Sequence, residues 1–417
     1  MSNPSVGIRQ LPRSRSSWRG AGFARRVVQR LLQRLEVGGL TVIENGERYT
    51  FGNAGSELQA VIHVHSDEVY QHILTTGIIG SGEAYMQGHW SSPDLVGVIR
   101  LFSANLAAMQ AMNARSSVLQ RVVYKIIHLF NSNSVSGSKR NIAAHYDLGN
   151  DFFSLFLDHN MMYSSAVYPS PESSLDEASD YKLERLCRQL ELTEQDHLLE
   201  IGTGWGGMAI YAETRYGCRV TTTTISREQY EHARARVAEL GLADRVTVLC
   251  EDYRKLSGTY DKLVSIEMVE AVGHQFYAEY FGRCSRLLRP GGKFAMQAIT
   301  IADQRYALAR DAVDFIKRYI FPGGCLPSLA VISDHIARDT DMQIVDLRDI
   351  TTDYARTLAT WRERFLAERE AVREQGFDEV FLRMWEFYLA YCEGGFRERV
   401  ISTIQVTFAK PGYRFAE

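Results

Sequence analysis

The chain has 417 residues, 45% hydrophobic and 23% charged, which is long enough for two domains and ordinary for a globular protein. A net charge of −3 carries no nucleic-acid signature, and no apolar run is long enough to predict a membrane span. The six cysteines (Cys187, Cys218, Cys250, Cys284, Cys325 and Cys392) form no Cys-x-x-Cys pair, so no metal site is expected and the scatter suits a reducing cytosol.

Residues 1–35 carry eight arginines and no acid. Trp18, Phe23, Val27, Leu31 and Leu35 recur among them, the pattern of a basic amphipathic helix able to lie on an anionic lipid surface. The pattern equally suits a helix packed on its own domain with its arginines in solvent. An Arg- and Ser-rich start also resembles an organelle transit peptide. Residues 36–130 read as a small α+β domain. Leu40–Phe51 is a hairpin turning at Asn45-Gly46. A strand at Ala60–Val64 and a short helix at Val69–Thr76 follow, then the glycine- and aromatic-rich run Gly80–Trp90 and a longer helix, Leu95–Met112. The polar segment 131–140 is a linker, and a second domain spans 141–417.

In that domain Leu198–Ile201 reads as a buried strand running into Gly202, Gly204 and Gly206 and then a helix, Met208–Tyr216. Glycines there allow positive φ and close approach of a ligand, and the helix N-terminus offers free amides. Such a loop serves a dinucleotide or S-adenosylmethionine. Glu200 favours the latter, because a carboxylate before the first glycine can pair with the ammonium of an amino acid. The next strand, Arg219–Ser226, ends on Thr224 where a dinucleotide site usually has an acid. A helix Glu228–Leu240 carries Gln229. The strand Arg245–Leu249 leads to Asp252 and Tyr253, assigned to the same ligand. Tyr260–Ile266 is a fourth strand. Arg286–Gly292 closes a helix in a turn before the strand Lys293–Ile299. This alternation predicts a mostly parallel sheet with its ligand at the carboxyl ends of the strands.

Several runs carry a resemblance: Ile142–Phe153, Met162–Tyr168, Glu200–Gly207, Thr224–Gln229, Phe321–Ser328 and Asp353–Trp361. In that order they resemble the cyclopropane-fatty-acyl-phospholipid synthases and mycolic acid methyltransferases. Residues 36–130 resemble the extra domain of the phospholipid-acting branch. The resemblance implies a Rossmann-like class I methyltransferase fold with a seven-stranded sheet, and it adds Tyr163, Ser164 and Gly206 to the methyl-donor site. It implies methyl transfer to the cis double bond of a membrane phospholipid acyl chain. A carbocation forms, and bound bicarbonate removes a proton as the ring closes. Glu270 and Tyr354 fall on two of the family's bicarbonate anchors, with backbone contacts at Ser165 and Ile299. The third anchor, a histidine, is Gln297 here. Glutamine cannot titrate, so ring closure is in question, and a methyl-branched or methylene product is the alternative. Cys392 falls on a cysteine once assigned as catalytic; since the alkene itself attacks, a lining role is favoured. Among the aromatics Tyr163, Tyr168, Phe315, Tyr319, Phe321 and Trp361, some can face the cation. Peripheral contact with the inner face of a membrane from the cytoplasm is expected, with no nucleic-acid partner and with a homodimer allowed. Two other readings are an inactive lipid-binding homologue and a small-molecule methyltransferase. Intact Glu200, Glu270 and Tyr354 oppose the first, and the extra domain opposes the second.

Overall fold

In the computed structural model, which describes residues 21–106 and 148–414, the chain builds two β-sheets. Strands β1 (Gly39–Glu44) and β2 (Glu47–Gly52) form the expected hairpin. Asn45 and Gly46 take φ of 52° and 82°, the left-handed pair that a two-residue turn of this kind requires. β3 (Gln59–Val64) lies parallel to β1, and the short β4 (Trp90–Ser91) completes the order β2-β1-β3-β4.

The run Gly80–Trp90 is mostly helix, Ile78–Met86, following the helix Glu68–Thr76. Its glycines serve contact: a Cβ on Gly82 would lie 2.7 Å from the Phe315 ring. Glu83, buried beside it, accepts from the Tyr319 hydroxyl at 2.6 Å and pairs with Arg318 at 3.0 Å, tying the N-terminal helices to the helix Phe315–Tyr319. The long helix expected over Leu95–Met112 is described over Leu95–Ala104 and interrupted at Asn105; residues 107–112 lie outside the described residues. There Asn105 turns its side chain to the amides of Glu36 (2.9 Å) and Val37 (3.1 Å). The linker 131–140 and the first motif through Asp147 lie outside the described residues, as do residues 1–20.

The N-terminal helix is described over Ala21–Leu32 and packs on the helix Glu68–Thr76. Its buried stripe is Ala24, Val28 and Leu32, continued by Leu35, one position round from the expected Phe23-Val27-Leu31 face. Phe23 stands 60% exposed beside exposed Arg26 and Arg30. Arg25 pairs with buried Glu44, which draws this face onto the sheet.

The second sheet comprises β5 (His197–Ile201), β6 (Arg219–Thr224), β7 (Val246–Cys250), β8 (Tyr260–Ile266), β9 (Leu288–Ile301), β10 (Gln343–Asp349) and β11 (Ile401–Ala409), in the order β10-β11-β9-β8-β5-β6-β7. Only β11 runs against the rest, giving the expected mostly parallel seven-stranded α/β sheet. Leu198, Leu199 and Ile201 are all buried, as a strand covered on both faces demands. One element differs. The helix ends at Leu287 as expected, but the turn expected after it, through Gly292, lies inside β9 as an irregularity opposite β8. It continues the ladder because Gly291 donates to the Pro411 carbonyl at 2.9 Å and Lys410 to that of Gly292. The helices Thr351–Ala367 and Glu379–Arg397 cross above the carboxyl ends of the strands. Their Trp361, Phe365 and Trp385 belong to one apolar cluster that reaches Val28 and Leu40 of the N-terminal unit. No helix among the described residues is long and apolar enough to cross a membrane.

Candidate active site

The chain leaves β5 through Gly202, Gly204 and Gly206 with φ of 102°, 52° and 91°. The amides of Gly202 and Thr203 donate to the Thr223 carbonyl, tying the loop to the end of β6. The helix Gly207–Tyr216 follows, and the loop before it borders a cavity of about 1000 Å³. Gly202, Gly204 and Glu200 line it, with Tyr163, Ser164, Thr224, Gln229, Asp252 and Tyr253; Gly206 is not among the lining residues. Thr224 donates to the Gln229 side-chain carbonyl at 2.8 Å. The Asp252 carboxylate is held by Arg254 through its amide, Nε and Nη2, so it shapes the wall from within an ion pair. Glu200 is buried and takes a hydrogen bond from Thr222 Oγ1 at 2.6 Å. Burial pushes its pKa up to about 8, opposed by that hydrogen bond. A buried carboxylate lining a cavity beside an open glycine loop fits the amino-acid end of S-adenosylmethionine.

A Cβ on Gly204 would meet nothing within 4 Å, so the space beyond it belongs to the cavity. Gly204→Val is expected to weaken S-adenosylmethionine binding about 10- to 100-fold, the range set by about 1–3 kcal/mol of overpacking. Calorimetry giving native affinity would move the ligand elsewhere.

Just past β8, Glu267 takes φ of 49°, unusual for a residue with a side chain. Its Oε1 accepts from the Ser165 amide and from Gln297 Nε2, both at 2.8 Å, and its Oε2 from the Tyr354 hydroxyl at 2.8 Å. Gln297 also donates to the Ser165 carbonyl (3.0 Å) and accepts from Gln405 (3.0 Å). Three groups expected to gather around an anion thus converge on a side chain of the protein itself. Gln297 and Ser165 stand behind Glu267 and are not among the lining residues, whereas Glu267, Glu270, Ile299 and Tyr354 line the cavity. Glu270 accepts from the Ile299 amide with one oxygen, and its other oxygen is buried without a hydrogen bond. Burial, then the charge of Glu267, push Glu270 up to about 8. Burial also raises Glu267, and its three donors pull it back. Behind the cluster the fully buried Lys182 donates to Ser164 Oγ at 2.8 Å; burial lowers it to about 8 against the pull of Asp158 and Glu267.

Reasoning from sequence missed Glu267. The available signal was a pair of carboxylates three residues apart at a strand end, together with an amide in place of the histidine.

Aromatic rings cover the cluster. Tyr163 stacks on Trp361 (5.4 Å between centroids) and shares a 2.8 Å hydrogen bond with the Tyr388 hydroxyl. Tyr354 stacks on Phe396 at 4.5 Å. Tyr163, Phe321, Tyr388 and Phe396 line the cavity; the last two were not foreseen. Of the other aromatics expected there, Trp361 and Phe315 are core, Tyr319 bonds Glu83, and Tyr168 lies under the Arg356 guanidinium. Cys392 lines the cavity, and burial followed by the charge of Asp314 pushes its thiol up, so it acts as apolar wall.

Residues 134–406 match the family described as mycolic acid cyclopropane synthetase. The chain is 37% identical over 413 residues to tuberculostearic acid methyltransferase UfaA1 of Mycobacterium tuberculosis, covering 97% of this chain and 95% of that protein. It is 36% identical over 351 residues to cyclopropane-fatty-acyl-phospholipid synthase of Escherichia coli K12, covering 84% and 88%. Mycolic acid cyclopropane synthase CmaA1 complexed with SAH and CTAB superposes with a TM-score of 0.61 at 30% identity, over 65% of this chain and 98% of that one.

Proposed function

The chain belongs to the mycolic acid cyclopropane synthetase family of S-adenosylmethionine-dependent lipid methyltransferases, and on that footing we propose that it methylates the cis double bond of an unsaturated phospholipid acyl chain. S-adenosylmethionine, when bound, supplies an electrophilic methyl group whose transfer leaves a carbocation on the acyl chain. The residues of the protein do the rest. Glu200 and the glycine loop bind and orient the donor. The apolar wall excludes water, and the rings of Tyr163, Phe321, Tyr388 and Phe396 line the space where the cation forms.

Glu267 then takes a proton from the newly added methyl carbon. The observation that carries this reading is its buried carboxylate, in the cavity wall, held by Ser165, Gln297 and Tyr354. Bicarbonate, which the resemblance implies, has no separate role in this reading, because those donors are already engaged. The fixed position of Glu267 decides which proton it reaches. A hydride first moves from the methylated carbon to its cationic neighbour. The methyl proton then leaves from beside a tertiary cation, and the product is a methylene-branched chain. One relative is named a tuberculostearic acid methyltransferase and not a cyclopropane synthase, which favours a product other than the ring. Ring closure without the hydride shift is the second reading, supported by the Escherichia coli synthase.

Mass spectrometry of phospholipids from cells expressing the chain should show acyl chains gaining one CH₂ with their unsaturation equivalent retained. Proton NMR then separates methylene from cyclopropyl signals. Unchanged acyl chains would overturn the reading.

The exposed Phe23, Arg26 and Arg30 support contact with an anionic lipid surface. Phe23→Asp is expected to weaken binding to anionic vesicles about tenfold, the scale of losing one inserted aromatic side chain. Cosedimentation equal to the native protein would exclude this contact.

A further inference from the structure

The cavity is larger than methyl-donor binding requires, and part of it lies inside the N-terminal domain. Leu40 and Val42 of β1, Ile62 and Val64 of β3, Ile73 of the helix Glu68–Thr76 and Phe102 line it together with Glu267 and the glycine loop. Alternate residues on those strands would ordinarily interdigitate with the helices to close the core, since protein interiors leave few voids larger than a water molecule. Here they border open space continuous with the active site. The total, about 1000 Å³, stands at the upper end of small-molecule pockets, roughly 300–1,000 Å³. The N-terminal part is mostly apolar, with Tyr70, Thr75, Thr76, Ser81 and Ser103 as its polar lining residues and no charged side chain among them.

The geometry also orients an occupant. The inner end of the N-terminal branch is closed: Val28, Leu40 and Val42 are 3%, 2% and 6% exposed, while Thr75, which lines its side, is exposed. Beyond Tyr70, also a lining residue, lies the buried Glu44 carboxylate paired with half-buried Arg25, a polar floor that a hydrocarbon will not displace. On the helix Asp303–Asp311, by contrast, Leu308 lines the cavity while 60% exposed; Arg305, Arg310 and Lys317 line it too, beside Asp314 and Asp311, the latter paired with Arg310 at 2.9 Å. A lipid therefore enters beside that helix with its headgroup left at the charged, solvent-facing side, and its methyl terminus goes into the closed branch.

We propose that the N-terminal domain is the measuring chamber of the lipid site. It holds the acyl chain from the reacting carbons to the methyl end, and its depth selects the double-bond position that reaches Glu267. The occupant rests on the phospholipid reading given above; the chamber itself rests on the apolar branch and its closed inner end.

The test uses the full-length protein, S-adenosylmethionine and vesicles of palmitoleoyl or oleoyl phosphatidylglycerol. The two chains carry the double bond at the same distance from the carboxyl group and differ by two methylenes beyond it. Ile62→Trp shortens the chamber from a half-buried position. Each methylene denied apolar contact costs about fourfold. The variant should lower the oleoyl-to-palmitoleoyl ratio of kcat/KM about 10- to 20-fold, with S-adenosylmethionine affinity unchanged. Ile73→Ala deepens the chamber and should raise the ratio. Ratios within twofold of native in both variants would overturn the proposal, as would an equal loss on both lipids in Ile62→Trp with no change in Ile73→Ala. A native protein that methylates neither lipid would instead overturn the phospholipid reading, and the occupant of the chamber with it.

Discussion

Replacing Glu267 with glutamine should lower product formation by about 10²–10⁴-fold, the range for a lost general base, while S-adenosylmethionine binds within about twofold of native. The amide keeps the size of the carboxylate but cannot take a proton, and its NH₂ group replaces either the oxygen that accepts from the Ser165 amide and Gln297 Nε2 or the one that accepts from the Tyr354 hydroxyl. Because burial raises the Glu267 pKa, the native rate should increase as pH rises through that raised value, and Glu267→Gln should erase this limb. A second variant distinguishes a base from a structural support. Glu267→Gly suits the backbone, whose φ of 49° favours glycine. It leaves an anion-sized space bordered by the same three donors. Formate or bicarbonate added to that variant should restore part of the rate. The native enzyme should be indifferent to both. A native enzyme that stops in bicarbonate-depleted buffer and recovers on its addition would return the role to the free anion. Full turnover by Glu267→Gln would remove Glu267 from the chemistry.

The half of the fold that depends on local pattern was legible in the sequence. The four strands β5 to β8 follow their β-branched and apolar runs to within a residue or two, and Tyr260–Ile266 matches at both ends. What escaped reading depends on partners far along the chain. β9 begins at Leu288 because its glycine segment pairs with residues beyond 408. The helix over Leu95–Ala104 stops because Asn105 reaches back 68 and 69 residues. The N-terminal helix turned its Ala24-Val28-Leu32 face inward because Arg25 found Glu44. The site divides the same way. Glu200 and its glycines lie within one strand-loop-helix unit and could be read directly. Glu267 acquires its meaning from Ser165, Gln297 and Tyr354, which lie 102, 30 and 87 residues away. No periodicity reports such a convergence.

Affinity for S-adenosylmethionine should climb with pH, by up to about tenfold per unit, and level off near pH 8. Burial holds the Glu200 pKa up at about 8, so the carboxyl group of the ligand-free protein is mostly protonated at pH 6 to 7. Pairing with the ligand ammonium needs the carboxylate, so binding must release the proton. By linkage, log K then rises one unit per pH unit until the free group ionises unaided. Above about pH 8 the α-amino group of the ligand, with an ordinary pKa of about 7.7–8.0, starts to lose its own charge, and affinity should fall again. The sign for folding is opposite. A carboxyl group raised in the folded state contributes stability that is fully present below its unfolded pKa and is lost as pH rises through about 8. The ligand-free protein should therefore lose thermal stability between about pH 5 and 8, and saturating ligand should remove that slope. Calorimetry in buffers of different ionisation enthalpy counts the proton directly: about one released at pH 6.5, fewer at pH 8. Glu200→Gln should release none and show flat affinity over this interval. Native protein that binds with the same affinity at pH 6 and pH 8 and releases no proton would exclude an ion pair between Glu200 and the ligand ammonium, because a protonated carboxyl group must give up its proton to form one.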